Sequence, residues 1–333
     1  MCSSDLVSPS GASGELERFD VSEGDSVATI AGRLESRGLI SDSGVFEWYV
    51  SQRGGLEPTP GFYRIAPGWH MGDVLGVLRT PPSETYARIT FPEGFTVEQM
   101  AARVGERIEQ MESDRFLEIT LDPTRTVPYR PGDIASLEGL LFPDTYQVSN
   151  ADNEGQLVER MIELMERVAL QEELDAGAER LGYTPYEVLT IASMIEREAK
   201  VEADRPRIAR VIYNRLEMGM NLEIDATLRY GQEPDTPFSV LRFTDSPYNT
   251  YLYGGLPPTP IANPGRASIR AALNPSPDPA SGDPLCQVLD DPTTGCRLLF
   301  YVLADFDGGH AFAVTFEQHQ ENIAAASRAG VLP

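Results

Sequence analysis

The chain has 333 residues, of which 41% are hydrophobic, and its 51 acidic against 27 basic residues give a formal net charge of −24. This length and composition predict a soluble globular protein of two or three domains. A surface this acidic repels phosphate backbones, so we expect no nucleic-acid partner. No run approaches the roughly twenty apolar residues of a membrane span, and no apolar leader precedes Cys2 that would make it a lipoprotein anchor.

The N-terminal part contains a Ser/Gly-rich segment and then a weak internal repeat. Residues 1–18 have no apolar period and are predicted to form a disordered tail. Within 19–128, three stretches each read as a strand end, a glycine turn and an amphipathic helix: Val21–Ala31, Ala66–Leu75 and Phe91–Ala101. The pattern predicts small α+β modules and resembles LysM-type glycan-binding units in a general way; the alternative is ordinary turn chemistry.

Residues 129–333 favour a second, helix-rich domain. Apolar spacing predicts a helix over 156–170, and a Thr cap followed by proline at Thr184 and Pro185 starts another that runs to about residue 200. A further helix is expected over 205–216.

The C-terminal part of the chain differs in composition from the helical segments before it. Residues 248–265 are too rich in proline and glycine for a helix, and their tyrosines favour an ordered loop. Two β-prone runs, 298–304 and 311–316, predict a C-terminal β-hairpin that presents His310, followed by a last helix over about 316–329. The fold class is therefore α+β: small N-terminal α+β modules, then a mixed, helix-rich domain with a C-terminal β-hairpin.

Cys286 and Cys296 flank a short polar loop that a disulfide could close. A bridge would indicate an oxidising compartment, and two unpaired thiols are the alternative.

The candidate catalytic groups in this sequence are carboxyl groups. There is no phosphate loop, paired-His zinc helix, nucleophile elbow or CxxC, so no metal and no cofactor are expected. Glu196 and Glu198 fall on opposite edges of the apolar arc of the helix that starts after Thr184, where partial burial would raise the pKa of a carboxyl. Periodicity does not choose between them, and two solvated glutamates paired with arginines are the alternative.

Several segments together resemble the MltG (YceG-like) family of endolytic murein transglycosylases, over about residues 19–332. The matching stretches, in the family's order, are Leu137–Tyr146, Ala192–Glu198, Val211–Leu216, Ile224–Thr227 with Tyr230 and Gly231, Tyr248–Tyr251, Gly255–Pro258 and Asp307–Phe312.

The resemblance implies that 129–333 is a catalytic domain and that Glu196, the first glutamate of the Glu-Arg-Glu motif, is the catalytic acid/base. Glu198 would then support it and help to bind substrate. The remaining residues that the resemblance implies for the glycan cleft are Glu138, Asn214, Asp225, Tyr248, Asn249, Thr250 and His310.

The resemblance also implies a reaction and a place. The substrate would be peptidoglycan glycan strands, cut internally to leave 1,6-anhydro-N-acetylmuramic acid ends and so terminating strand growth, beside cell-wall synthases of the elongation or division machinery. Family members act on the extracytoplasmic face of the bacterial cell membrane, anchored by one N-terminal transmembrane helix; this sequence contains none, and we expect that its N-terminus is incomplete. The insertion between Cys286 and Cys296 also departs from the family pattern.

Two other functions are alternatives to this one. An older label of the family, aminodeoxychorismate lyase, requires a lysine that forms a Schiff base with pyridoxal phosphate, and Lys200 is the only lysine in the chain. A non-catalytic peptidoglycan-binding scaffold is the second alternative, although the intact Glu-Arg-Glu motif favours an enzyme.

Overall fold

The computed structural model describes residues 15–82, 86–289 and 295–332. Residues 1–14 of the predicted tail, with Cys2, lie outside this part of the chain. The predicted tail is too long at its other end, because Glu17 and Arg18 pair with Ile65 and Arg64 in an antiparallel sheet.

Within the described residues the chain forms six strands and thirteen α-helices. The strands are β1 (Glu17–Val21), β2 (Gly61–Ile65), β3 (Tyr86–Thr90), β4 (Thr145–Ser149), β5 (Phe300–Leu303) and β6 (His310–Ala313). The helices are α1 (Val27–Ser36), α2 (Ser43–Gln52), α3 (Met71–Arg79), α4 (Val97–Arg107), α5 (Ser113–Thr120), α6 (Glu154–Gln171), α7 (Leu174–Leu181), α8 (Pro185–Glu198), α9 (Arg205–Glu217), α10 (Asp225–Arg229), α11 (Phe238–Leu241), α12 (Arg266–Leu273) and α13 (Phe316–Arg328). None of these helices is both long and apolar enough to cross a membrane.

The chain divides into two compact units. The first consists of the described residues up to Ile89 together with Val104–Glu112 and Thr145–Leu157. The second consists of Thr90–Arg103, Ser113–Asp144 and the described residues from Val158 onward. The structure is thus α+β, as predicted; the division of the sequence after residue 128 stays a prediction.

The first unit is built on two small two-stranded sheets, the antiparallel pair β1–β2 and the pair β3–β4. Its core forms where α1, α2 and α3 turn their apolar residues toward the first sheet, with Ile30, Phe46, Ile65 and Leu75 almost completely buried. Burial of such side chains stabilises the unit by about 1.5 to 3 kcal/mol each.

Each copy of the predicted repeat has the expected local structure. A strand ends, a glycine with positive φ turns the chain, and a helix begins: Gly24 (φ 82°) before α1, Gly68 (φ 82°) before α3 and Gly94 (φ 78°) before α4. Only glycine adopts this backbone conformation without strain, which explains its recurrence at each turn. The likeness to LysM-type units stays a prediction.

The second unit is organised around α8. Thr184 and Glu187 form a capping box, and Pro185 occupies the first turn, so the predicted start of this helix is confirmed. Every residue from Val188 to Ile195 is buried, because α8 packs against α7, α9, α10 and α12. A helix enclosed on most sides holds the side chains at its end in fixed positions.

The C-terminal hairpin also belongs to the second unit and is confirmed. Strands β5 and β6 pair antiparallel with Tyr301 opposite Phe312 and Leu303 opposite His310. Because opposing residues share a face and every second residue returns to it, these four side chains lie on the same face. Helix α13 packs against both strands.

Candidate functional site

A cleft of about 500 Å³ lies in the second unit, where the end of α8 meets the hairpin, α9, α10 and α13. Its polar and charged lining residues are Glu198, Arg215, Glu223, Asp225, Tyr251, Tyr301, His310 and His319. Of the residues that the resemblance implied for catalysis or substrate binding, Glu198, Asp225 and His310 line this cleft.

Glu198 is the last residue of α8, and its carboxylate is held between α10 and β5. Its Oε1 accepts the backbone N–H of Ala226 at 3.4 Å, and its Oε2 accepts the Tyr301 hydroxyl at 3.3 Å. Burial raises the pKa of this carboxyl to about 7, and the nearby charge of Asp225 adds to the rise against the opposing effect of the two hydrogen bonds. At neutral pH the Glu198 carboxyl is therefore protonated in some molecules and ionised in others, so it can either donate or accept a proton.

Asp225 begins α10, and its Oδ1 accepts the hydroxyl of Tyr251 at 2.6 Å. Burial and this aspartate together raise the pKa of the Tyr251 hydroxyl, which therefore stays a donor. The arrangement keeps a negative charge in the same cleft as the Glu198 carboxyl.

His310 begins β6 and is held from behind by Asp204. One oxygen of Asp204, Oδ2, accepts the backbone N–H of His310 at 2.8 Å and lies 3.1 Å from its Nδ1. Tyr301 packs edge-on against the imidazole ring, with 5.5 Å between the ring centroids.

His319 enters the cleft from α13 and stacks on the Phe300 ring at 5.1 Å. Burial, followed by the charge of Arg215, lowers the pKa of His319, so its ring is neutral near pH 7.

Glu196 does not line this cleft. Its side chain, 7% exposed, turns toward the start of α12, where Oε2 accepts the N–H of Gly265 at 3.1 Å and Oε1 lies 3.8 Å from Arg205. Glu93 approaches the same point, because a Cβ added to Gly265 would meet the Glu93 carboxyl at 2.0 Å. Burial and the charge of Glu196 raise the pKa of Glu93. The largely buried side chains of Glu196 and Arg205 thus lie beside the carboxylate of Glu93, a residue exposed to solvent.

Glu138 lies wholly inside the second unit rather than in the cleft. Its carboxylate accepts the N–H of Val97 and the hydroxyl of Tyr230, each at 3.1 Å, and the amide of Asn263 at 2.9 Å. Burial raises the pKa of Glu138 to about 8. These bonds join α4, the end of α10 and the loop before α12, so Glu138 holds the fold together.

Four further residues that the resemblance implied for the glycan cleft do not line this one, and their polar groups bond to other segments of the chain. Asn214 bonds Asp278 and the Leu298 carbonyl, and Asn249 bonds three carbonyls between 241 and 244. Thr250 accepts the N–H of Ile224 at 3.0 Å. The ring of Tyr248 packs against that of Tyr230 with 4.7 Å between centroids, and its hydroxyl forms a hydrogen bond with Thr259. Their amide, hydroxyl and phenol groups are engaged by protein.

Arg215, Tyr251, Tyr301 and His319 line the cleft but were not predicted from the sequence. Arg215 and Tyr251 stand inside stretches that match the family, but nothing in those stretches shows which way a side chain turns. Tyr301 could have been found, because alternation along the predicted hairpin places it on the same face as His310. His319 carried no signal of its own.

Cys286 and Cys296 are joined by a disulfide with 5.5 Å between their Cα atoms. The bridge lies just before Leu298, whose N–H bonds Asp278 and whose carbonyl accepts Asn214. It therefore secures the segment that leads into β5 and the wall of the cleft.

Comparison with known proteins identifies the family. An endolytic murein transglycosylase of Bacillus subtilis is 31% identical over 272 residues, covering 77% of this chain and 75% of that protein. One from Streptococcus pneumoniae is 28% identical and covers 91% of this chain, which spans 57% of that longer protein. The crystal structure of a YceG-like protein from Listeria monocytogenes matches with a TM-score of 0.60 and 25% identity, covering 92% of this chain and 98% of that one. Since the YceG-like family model also matches residues 19–325, the chain belongs to the YceG-like family.

Proposed function

We propose that this protein is an endolytic lytic transglycosylase of peptidoglycan, and that Glu198 is its catalytic acid/base. The observation that carries the proposal is a carboxyl with a pKa of about 7 in the wall of a 500 Å³ cleft. The names of the relatives supply the reaction class.

Glycoside hydrolysis normally uses two carboxyl groups, one of which protonates the leaving oxygen while the other acts as nucleophile or activates water. A lytic transglycosylase needs only one. Protonated Glu198 gives its proton to the glycosidic oxygen as the bond to C1 of N-acetylmuramic acid breaks. The resulting carboxylate takes the proton of the C6 hydroxyl as that oxygen closes on C1, which leaves a 1,6-anhydro end. A pKa near 7 suits both halves of this cycle.

Glu198 replaces Glu196 as our candidate because their surroundings differ. Glu198 lines the cleft, and its two hydrogen bonds, at 3.3 and 3.4 Å, are long enough to yield to a substrate oxygen. Glu196 does not line the cleft: its Oε2 accepts the N–H of Gly265 at 3.1 Å, and its Oε1 lies 3.8 Å from Arg205. We assign Glu196 to holding α8 and α12 in place.

Asp225 supports the reaction through its charge. The transition state of glycosidic cleavage has oxocarbenium character, and an ionised carboxylate in the same cleft stabilises that positive charge. The same charge favours the protonated form of Glu198. The charge of Asp225 thus favours both the protonated form of Glu198 and the positive charge of the transition state.

The biological setting follows the family. We propose that the protein acts on the extracytoplasmic face of the cell membrane, where it ends the growth of nascent glycan strands beside cell-wall synthases. The disulfide between Cys286 and Cys296 supports an oxidising compartment.

The test uses the purified protein with Glu198→Gln and Glu196→Gln variants on uncrosslinked glycan strands, with the new ends identified by mass spectrometry. We expect internal cuts ending in 1,6-anhydro-N-acetylmuramic acid from the wild type, and a loss of about 100- to 10,000-fold in rate for Glu198→Gln, because glutamine carries no transferable proton. Glu196→Gln should fold less stably yet retain measurable turnover.

If Glu196→Gln abolishes turnover in folded protein while Glu198→Gln does not, the assignment of the two glutamates is reversed. If the wild type binds strands without cutting them, the protein is a peptidoglycan-binding scaffold.

A further inference from the structure

We infer that Asp204 is a positioning residue that fixes the tautomer of His310, leaving His310 Nε2 as a hydrogen-bond acceptor for a hydroxyl group of the bound glycan. The inference rests on the proposed function only in taking a glycan as the ligand of the cleft. Asp204 itself does not line the cleft and would act entirely through the imidazole.

The tautomer follows from the hydrogen-bond partners. An ionised carboxylate only accepts hydrogen bonds, and Asp204 Oδ2 already accepts the backbone N–H of His310 at 2.8 Å. The contact of 3.1 Å with Nδ1 therefore requires that Nδ1 carry the hydrogen. In a neutral imidazole, Nε2 then has a free lone pair.

The ring is held so that it cannot exchange its two nitrogens. Asp204 and His310 are almost buried, with side-chain exposures of 11% and 6%. Tyr301 and Phe312 pack against the imidazole with ring centroids at 5.5 and 6.4 Å. A flip of the ring would bring a C–H to the carboxylate and lose a hydrogen bond to a charged group, so the observed orientation is favoured.

The cleft then offers His310 Nε2 for substrate. Among the described residues no protein group donates to this nitrogen, whereas Asp225 receives the hydroxyl of Tyr251 and Glu223 is paired with Arg215 at 3.0 Å. A sugar presents hydroxyl donors around its ring, and a neutral acceptor can bind one without the desolvation cost of a second carboxylate. His310 therefore suits ground-state binding of the glycan, beside the carboxyl of Glu198 that performs the chemistry.

The tautomer is tested by ¹⁵N NMR of the imidazole nitrogens at pH 8, and the chain has only three histidines, so a His310→Gln spectrum assigns the resonances. We expect Nδ1 protonated and Nε2 unprotonated in the wild type. We also expect the Nε2 resonance to move when uncrosslinked glycan strands are added to the Glu198→Gln variant, which binds without turnover. A protonated Nε2 in the free protein, or a resonance that strands at saturating binding leave unmoved, overturns the inference.

Kinetics supply the second readout. Asp204→Asn should raise KM for glycan strands about three- to tenfold, the value of one hydrogen bond, with a smaller change in kcat. His310→Ala should do the same, and His310→Gln should recover part of the loss through its amide oxygen. Asp278→Asn is the matched control, because Asp278 likewise accepts a backbone N–H and a side-chain N–H through one oxygen, from Leu298 and Asn214.

The outcomes separate this inference from the proposed function. Equal KM values for folded Asp204→Asn, Asp278→Asn and wild type overturn the role of Asp204 while the transglycosylase reaction stands. Conversely, a wild type that cuts no strands overturns the proposed function, whereas a glycan-dependent shift at Nε2 would still support His310 as a glycan ligand.

Discussion

Gly139 and Gly182 give a matched test of how closely the second unit is packed. Both have φ of +79°, so an alanine at either position carries the cost of a left-handed backbone, about 1 to 2 kcal/mol. A Cβ at Gly182 would meet nothing within 4 Å, whereas a Cβ at Gly139 would lie 2.4 Å from Cβ and Cγ of Pro260. The proline ring is rigid, so relief requires a backbone shift worth about 1 to 3 kcal/mol more. We expect Gly182→Ala to lose about 1 to 2 kcal/mol and Gly139→Ala about 2 to 5 kcal/mol.

Thermal unfolding by calorimetry, at one pH and protein concentration, measures the difference. At about 2 °C per kcal/mol for a unit of this size, Gly182→Ala should lower Tm by about 2 to 4 °C and Gly139→Ala by about 4 to 10 °C. Equal losses would refute the reasoning, because they would show that the loop at Pro260 moves aside without cost. A stable Gly139→Ala would further show that the bonds of neighbouring Glu138 do not depend on this close contact.

Three further outcomes are expected. Removal of the disulfide by Cys286→Ser with Cys296→Ser frees a loop of about eleven residues and should lower the free energy of unfolding by about 2.7 kcal/mol in chemical denaturation. Reductant should destabilise the wild type in the same way, and a wild type that reductant leaves unchanged would show that the bridge does not form. If Glu198 is the acid it must be protonated, so kcat/KM should fall as pH rises through about 7. Asp225→Asn removes a charge that raises the pKa of Glu198 and should move this fall to lower pH. An unmoved profile would show that the charge of Asp225 does not affect the pKa of Glu198. Thr184→Ala removes the cap of α8 and should lower stability by about 1 kcal/mol in urea unfolding, with no loss if water replaces the hydroxyl.

The elements that the sequence predicted carry their signal within a few residues. The capping box at Thr184 and the apolar stripe of α6 are local patterns, and both helices form where they were expected. Helix α12 gave no such signal, since it has eight residues and no side-chain cap at Gly265. It is helical because Ile269 and Leu273 are buried against α8 and α9, a cause that lies in tertiary packing.

The motifs located the important segments but not the function of each residue within them. Asn214 and Asn249 stand in motifs that match the family, and the structure engages them in bonds to carbonyls of the fold. A polar residue in a matched motif is therefore as consistent with a buried structural bond as with a ligand contact. Only the position of its partner distinguishes the two, and for Asn214 that partner, Asp278, is 64 residues away along the chain.

The choice between Glu196 and Glu198 depends on the same kind of distant partner. Two residues along a helix turn the side chain by about 200°, so the two carboxyls must face different neighbours. Glu196 meets Gly265, 69 residues onward, whereas Glu198 meets Tyr301, 103 residues onward. Both partners give hydrogen bonds, but of the two only Tyr301 lines the 500 Å³ cleft, and burial there raises the pKa of the Glu198 carboxyl to about 7. Helical periodicity finds the pair, and long-range topology places Glu198, but not Glu196, in the wall of this cleft.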